Sequence, residues 1–330
     1  MCIRILSLTL LISVSSIGSR AEKPADENQR SSPAPHEAVQ SRRQATRNID
    51  AIGRRNVGCN RGIGNWYSLD RQIAMGKENS TRVEATAKLV EDPEVTKYID
   101  SIGQNLVRNS DAQVPFTIKV IDSGDLNAIT LPGGFVYIDT GLILAAETEA
   151  ELAGVMAHEI AHAAACHAAR GRTRAQLASL ASFSMTMVGG PIAYAAYQSM
   201  AIVKPLTFLK FSRTFESEAD FLAIQYMYRA GYDPLALTTF FERVKAMESG
   251  NPKAIARLFQ THPQTGDRIR RTQAEIDTLL PPKVAYKVDT SEFEAVKERL
   301  FRLQNRIGIQ NANHPSLRRA PVEGDFRFAN

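Results

Sequence analysis

Two histidines four residues apart, with a glutamate directly after the first, lie inside the best-marked helix of the chain, His158-Glu159-Ile-Ala-His162. Thr148 and Glu151 have the spacing of a capping box, and the interior is rich in strong helix formers. Residues four apart share a face and lie about 6 Å apart along a helix axis. The two imidazoles can therefore bind one ion, with Glu159 beside them to accept a proton from bound water.

The composition of this helix also predicts its burial and its length. Its apolar neighbours predict that it is buried, and buried imidazoles need polar partners. Zinc is the expected ion, one per chain, because two imidazoles and a carboxylate form an established catalytic ligand set. We expect the helix to continue to Arg170 and to end at Gly171, where glycine adopts a left-handed conformation. His167 is five residues from His162, on a different face, so we predict no role for it at the metal.

A third ligand is expected from a second helix, which is opened by residues 212–220, with Phe-Glu-Ser-Glu-Ala-Asp at 215–220, and ends at Gly231. Glu216 and Asp220 are four residues apart and share a face. One can bind the metal while the other accepts the free N–H of a ligating histidine. Glu218 is predicted to point elsewhere. The alternative is a solvated acidic first turn that the helix dipole favours.

The body around these helices has the pattern of an α+β fold. Residues 82–108 have helical spacing, interrupted near Asp92-Pro93, and residues 116–121 alternate as a strand. Residues 128–131, the corner Pro132-Gly133-Gly134 and a strand at 135–138 follow in the order typical of a hairpin.

Both ends of the chain differ in composition from this body. Residues 1–21 combine an early arginine, an apolar core and small residues, which is typical of an export signal. An uncleaved anchor is the alternative. Residues 22–48 are predicted to be a disordered leader, and residues 286–330 a C-terminal helix and a loose tail.

Cysteine count and charge exclude several classes of protein. Three cysteines are too few for a disulfide scaffold or a four-cysteine zinc finger. In the oxidising periplasm or envelope Cys59 and Cys166 could pair, and two separate buried thiols are equally compatible with the sequence. The formal net charge is +5, with both signs spread along the chain. We therefore predict no nucleic-acid partner.

Residues 177–203 carry no formal charge, and Gly189-Gly190-Pro191 interrupts them. We expect two short apolar helices that fold over the cleft. The alternative is that they make peripheral contact with a membrane surface.

Four segments together resemble the gluzincin metallopeptidases that include HtpX, BepA and the CAAX prenyl endopeptidases. They are residues 127–138, residues 140–143, the zinc helix motif and residues 215–220. The resemblance implies a mostly helical α+β zincin-type fold in residues 49–285, with a small sheet or hairpin bordering the cleft. It also implies that His158, His162 and Glu216 bind zinc, that Glu159 is the general base and that Asp220 supports a ligand.

Further roles follow from the same resemblance. The strand that contains Phe135, Val136 and Tyr137 would pair with an extended substrate. His262, in a Thr-His-Pro segment, would reach the zinc and hold the enzyme closed, or support the oxyanion. The expected activity is zinc-dependent cleavage of extended or misfolded envelope polypeptides. The alternatives are a chaperone-like protein with a zinc site held shut, and a membrane-associated protease acting on membrane or prenylated substrates.

Overall fold

The computed structural model describes residues 46–248, 262 and 266–313, with the backbone alone for residues 181–212, 247–248 and 306–313. The expected export signal, the leader up to residue 45 and the tail after residue 313 lie outside the described residues. In chain order the helices are α1 (Leu69–Thr86), α2 (Pro93–Arg108), α3 (Thr140–Ala145), α4 (Glu149–Ala164), α5 (His167–Ala230), α6 (Leu235–Glu248), α7 (Gly266–Leu279) and α8 (Ser291–Asn313). The strands are β1 (Thr117–Ile121), β2 (Ala128–Leu131) and β3 (Phe135–Asp139), which confirms a mostly helical α+β fold.

The three strands form one sheet in the order β1-β3-β2. β3 pairs with β1 in parallel and with β2 as an antiparallel hairpin. The corner of this hairpin requires glycine: Gly133 has φ 75°, and a Cβ there would lie 2.4 Å from the Cα of Ile73. Because β3 is hydrogen-bonded on both sides, it has no free edge. This corrects the expectation that the strand of Phe135, Val136 and Tyr137 pairs with a substrate.

Helix α4 is the centre of the fold. Fourteen of its sixteen residues are buried, as its composition predicts. The predicted capping box starts it: the Glu151 N–H donates to Thr148 Oγ1 at 3.3 Å, and Glu151 Oε2 accepts from the Glu147 N–H at 2.7 Å. Strand β2 packs against one side of α4, and α5 and α6 pack against others.

The predicted end of the zinc helix is wrong. Helix α4 ends at Ala164, and Cys166 adopts a left-handed conformation with φ 53° at the junction with α5. Cys166 also forms a disulfide with Cys59, which lies 107 residues earlier in the chain. Gly171 therefore lies inside α5, where the chain has already turned.

Helix α5 consists of two segments that lie side by side. In a straight helix, residues 48 positions apart would be separated by about 72 Å, yet Arg170 Nη1 lies 2.9 Å from Glu218 Oε2. The chain therefore reverses between a first arm (167–180) and a second arm (213–230). Residues 177–203, where we expected two short helices, lie within the bounds of α5. The second arm ends at Gly231, as predicted, with φ 91°. None of the described helices has both the length and the apolar composition needed to cross a membrane.

The C-terminal part of the described chain is attached to the start of α4 through Glu149. This buried carboxylate accepts hydrogen bonds from the hydroxyls of Tyr98, Tyr232 and Thr290 and forms an ion pair with Lys287. Helix α8 follows directly and packs on α2 and α3. The contacts of one side chain thus join α4 to three other parts of the sequence.

Candidate metal centre

Side chains from α4 and from the second arm of α5 converge on one point. The Nε2 atoms of His158 and His162 lie 3.1 Å apart. Glu216 Oε2 lies 3.3 Å from the first of these nitrogens, and Glu216 Oε1 lies 3.3 Å from the second. His158 and Glu216 are each only 2% exposed. The structure therefore brings the two predicted histidines and the predicted carboxylate together in a largely buried site.

His262 completes the group. Its Nδ1 lies 3.0 Å from Glu216 Oε2 and 3.3 Å from His158 Nε2, while its Nε2 lies 3.3 Å from Glu159 Oε1. One ligand atom from each of His158, His162, Glu216 and His262 lies within 4.8 Å of all the others.

The spacing of these atoms fits a zinc ion. Zinc bonds to imidazole nitrogen and carboxylate oxygen are about 2.0–2.1 Å long, so neighbouring ligand atoms of a tetrahedral site are about 3.3 Å apart. The Nε2 atoms of His158 and His162 lie 3.1 Å from each other and 3.3 Å from one or the other oxygen of Glu216, which is close to that value. The donor set of imidazoles and one carboxylate is also the set that zinc prefers.

A carboxylate and an arginine lie behind His158. Asp220 Oδ1 is 3.0 Å from His158 Nδ1. Arg268 donates two hydrogen bonds of 2.7 Å to Asp220, and its Nη1 lies 3.1 Å from Glu216 Oε2. Arg268 is not among the site residues predicted from the sequence. It could have been found as a charged residue on the buried face of α7, in line with Thr272.

A second set of partners lies behind His162. His167 Nδ1 is 2.9 Å from His162 Nδ1, and His167 Nε2 is 3.2 Å from Glu218 Oε2. The expectation that His167 faces away from His162 is wrong, because their Nδ1 atoms are in contact, whereas Glu218, as predicted, is not among the clustered ligand atoms. The turn at Cys166 follows the end of α4 and directs His167 back towards His162.

The charges of the site determine which protonation states are favoured. Burial lowers the pKa of His162 to about 4, with a further contribution from the charge of His158. Burial also acts to lower the pKa of His158, but Asp220 and Glu216 outweigh it and raise that pKa to about 9. Burial acts to raise the pKa of Glu216, but contacts with three histidines hold it well below its usual range. An ionised Glu216 and a neutral His162 are the forms that bind a cation.

Comparison with known proteins gives a consistent result. The chain is 29% identical over 252 residues to the beta-barrel assembly-enhancing protease of Escherichia coli, covering 73% of this chain and 50% of that protein. It is 28% identical over 258 residues to the beta-barrel assembly-enhancing protease of Yersinia pestis, covering 76% and 51%. It is 32% identical over 202 residues to the mitochondrial metalloendopeptidase OMA1 of Schizosaccharomyces pombe, covering 60% and 56%.

The chain spans about half the length of these curated relatives. A family model described as peptidase family M48 matches residues 93–276, which is more than half of the 330 residues and runs from the start of α2 into α7. With the geometry of the cluster, this match shows that the chain belongs to peptidase family M48.

Proposed function

We propose that this chain is a zinc-dependent endopeptidase that hydrolyses peptide bonds in extended or misfolded polypeptides of the cell envelope. The observation that carries the proposal is the convergence of His158, His162 and Glu216, whose nitrogen and carboxylate oxygen atoms lie 3.1–3.3 Å apart, close enough to bind one ion. Membership of family M48 and the names of the relatives support the same reaction class.

The roles of the surrounding side chains follow from their contacts. A zinc ion bound here would polarise the scissile carbonyl and lower the pKa of water bound to it. Glu159, buried beside the cluster, takes the proton of the attacking water and delivers a proton to the leaving amine. Asp220 orients the ring of His158 at Nδ1, and Arg268 holds Asp220 in place.

The edge strand β2 is the best-placed element to hold an extended substrate. Among the described residues β2 pairs only with β3, so no described strand covers its other edge. The hydroxyl of Thr130 donates to the carbonyl of Glu159 at 3.2 Å, so this strand runs beside the proposed base. A substrate added to the edge would therefore lie close to the metal.

The register of the hairpin identifies the backbone groups that such a substrate would meet. The Asp139 N–H donates to the carbonyl of Asn127, which marks their pairing as hydrogen-bonded. In an antiparallel pair, hydrogen-bonded and non-hydrogen-bonded positions alternate. The N–H and C=O groups of Ala128 and Thr130 therefore point away from β3. Recognition through these groups requires an extended chain, which is why unfolded polypeptides are the proposed substrates.

An envelope location is proposed from two independent features. The disulfide between Cys59 and Cys166 is typical of an oxidising compartment such as the periplasm. The two bacterial relatives are named for enhancing beta-barrel assembly. Both agree with the export signal expected in residues 1–21.

Peripheral contact with an anionic membrane is proposed for residues 177–203 and for the turn at residues 62–66. The Trp66 N–H donates to Thr173 Oγ1, which places this turn against the first arm of α5. Ile63, Trp66, Leu177 and Leu180 are between 37% and 86% exposed. Residues 165–215 contain six lysines and arginines and no acidic residue, a charge that complements anionic lipid.

The membrane contact can be tested with the purified protein and lipid vesicles. Sedimentation with vesicles containing anionic phospholipid should recover the protein, and vesicles of neutral phosphatidylcholine should not. A double Ile63→Ser and Trp66→Ser variant should bind less. Equal recovery with both vesicle types, or with neither, would contradict the proposal.

A second candidate function is supported by the position of His262. Because it contacts Glu216 and Glu159, it could hold the site shut in a chaperone-like protein that does not cleave. In that case Glu159→Gln would complement a deletion strain as well as the wild type does. If the chain is a protease, Glu159→Gln should fail to complement the deletion strain.

The proposed function is tested by separating metal binding from cleavage. Purified wild type should contain one zinc per chain and cleave casein. Glu159→Gln should keep its zinc and lose cleavage, whereas Glu216→Gln should lose zinc. Glu151→Gln makes the same change on the same helix away from the cluster and should keep both properties. Normal cleavage by Glu159→Gln would refute the mechanism.

A further inference from the structure

A line of polar contacts extends from His162 away from the metal cluster. His162 Nδ1 contacts His167 Nδ1 at 2.9 Å, and His167 Nε2 contacts Glu218 Oε2 at 3.2 Å. Arg170 Nη1 then donates to the same carboxylate oxygen at 2.9 Å. We propose that His167 is a positioning residue that fixes the ring of His162 and thereby sets the affinity of the site for zinc. This inference rests on the proposed zinc site.

The donors and acceptors along this line are consistent with one another. His162 directs Nε2 into the cluster, so its other nitrogen, Nδ1, carries the proton when Nε2 binds a cation. His167 Nδ1 must then be an acceptor, which places the proton of His167 on Nε2. That proton is donated to Glu218. Each ring nitrogen that carries a proton therefore faces an acceptor, and each nitrogen without one faces a donor or the bound cation.

Packing holds His167 in this position. The ring is 4% exposed and stacks on Phe215, with centroids 4.4 Å apart and planes at 18°. Arg170 also donates to the carbonyl of Ala165 at 3.2 Å and lies over the same aromatic ring at 4.9 Å. Phe215 directly precedes the ligand Glu216. The group around His167 thus connects the end of α4 to the second arm, the two segments that provide the ligands.

The two ligand histidines are supported in parallel ways. His158 contacts Asp220, which is held by Arg268. His162 contacts Glu218 through His167, and that carboxylate is held by Arg170. In each case an arginine fixes the carboxylate that orients the imidazole. Loss of such an outer partner typically weakens metal binding by about 10–100-fold.

The experiment compares variants that keep or remove the acceptor at Nδ1. His167→Phe keeps a flat ring that can stack on Phe215 but has no acceptor. His167→Asn places a side-chain oxygen near the former Nδ1. Zinc affinity of the folded, zinc-depleted protein would be measured by competition with a chromophoric chelator. The phenylalanine variant should bind zinc about 10–100-fold more weakly, and the asparagine variant should recover part of the loss.

A matched control removes a buried hydrogen bond elsewhere. The Tyr226 hydroxyl donates to Asp111 Oδ2 at 3.0 Å, and Tyr226→Phe removes this bond on the same helix as Glu216. Its zinc affinity should equal that of the wild type, even if its thermal stability falls. A merely structural role for His167 would make His167→Phe behave like this control.

The outcomes separate this inference from the proposed function. Unchanged zinc affinity in His167→Phe overturns the positioning role while leaving the zinc site intact. Failure of the wild type to bind zinc overturns the proposed function itself. If thermal unfolding shows that His167→Phe does not fold, Glu218→Gln decides: several-fold weaker binding supports the inference, and unchanged binding overturns it.

Discussion

His262 lies between the metal cluster and the side chain proposed as the base. Its Nδ1 is 3.0 Å from Glu216 Oε2, and its Nε2 is 3.3 Å from Glu159 Oε1. Zinc with three protein ligands keeps one further position for water or substrate. In this arrangement His262 competes with the reactants for that position.

Replacing this side chain should therefore activate the enzyme. His262→Ala should raise kcat/KM for an unfolded substrate by about tenfold if about a tenth of the molecules are open in the wild type. Zinc content, measured by elemental analysis, should not change, because His158, His162 and Glu216 remain. A lower rate with full zinc content would contradict inhibition and would assign His262 to support of the oxyanion.

At the scale of single elements, the positions of site residues were predictable where one helix carries them. Glu216 and Asp220 are four residues apart within α5, so helix geometry alone places them on one face. His167 lies beyond the turn at Cys166, and there the helical spacing from His162 no longer applies. The turn itself has no glycine to mark it, which is why the sequence predicted a longer helix.

The order of the strands was not predictable from local pattern. The sequence marks the hairpin of β2 and β3 through its two glycines, but the parallel pairing of β1 with β3 joins segments that a turn does not connect. That pairing covers the second edge of β3. It therefore moves the expected docking edge from β3 to β2.

Substitution at β2 tests this docking edge. Thr130→Pro removes an N–H that points away from β3, so the sheet should form while an added substrate strand loses a hydrogen bond. We expect KM for casein to rise several-fold with zinc content unchanged. Thr130→Val removes the hydroxyl but keeps the N–H, and should retain the wild-type KM.

Position 129, next to Thr130, provides a contrasting substitution. Ile129 is predicted to bond to β3, so Ile129→Pro should lower the melting temperature of the protein rather than affect KM selectively. Equal effects of the two prolines on stability, with KM unchanged in Thr130→Pro, would exclude β2 as the docking edge.

At the scale of the whole molecule, long-range contacts hold α4 between the two ends of the described chain. The disulfide joins residues 107 positions apart, and Thr290 reaches Glu149 over 141 positions. In the chain-entropy model, closing a loop of about 100 residues by a disulfide stabilises the fold by about 4.7 kcal/mol. Nothing local in the sequence identifies either pair, because their partners meet only when the core has formed.

The contacts of Glu149 make the stability of the molecule depend on pH. Burial acts to raise the pKa of Glu149, but Lys287, Thr290, Tyr232 and Tyr98 outweigh it and hold the pKa below the usual 4.5. The unfolded chain therefore takes up this proton at a higher pH than the folded protein does. The stabilisation is complete above about pH 4.5 and is lost as the pH falls through the lower pKa of the folded state.

Glu149→Gln should therefore lower the free energy of unfolding by about 2 kcal/mol at neutral pH, because hydrogen bonds to a charged group are weakened. The gap in free energy of unfolding between this variant and the wild type should narrow once the pH falls below about 4.5. Urea unfolding across this range measures the gap directly. Tyr98→Phe removes one donor but keeps the carboxylate, so the stability of this variant should still depend on pH. A gap for Glu149→Gln that stays constant under acid would show that packing, and not the ionised carboxylate, joins the C-terminal segment to α4.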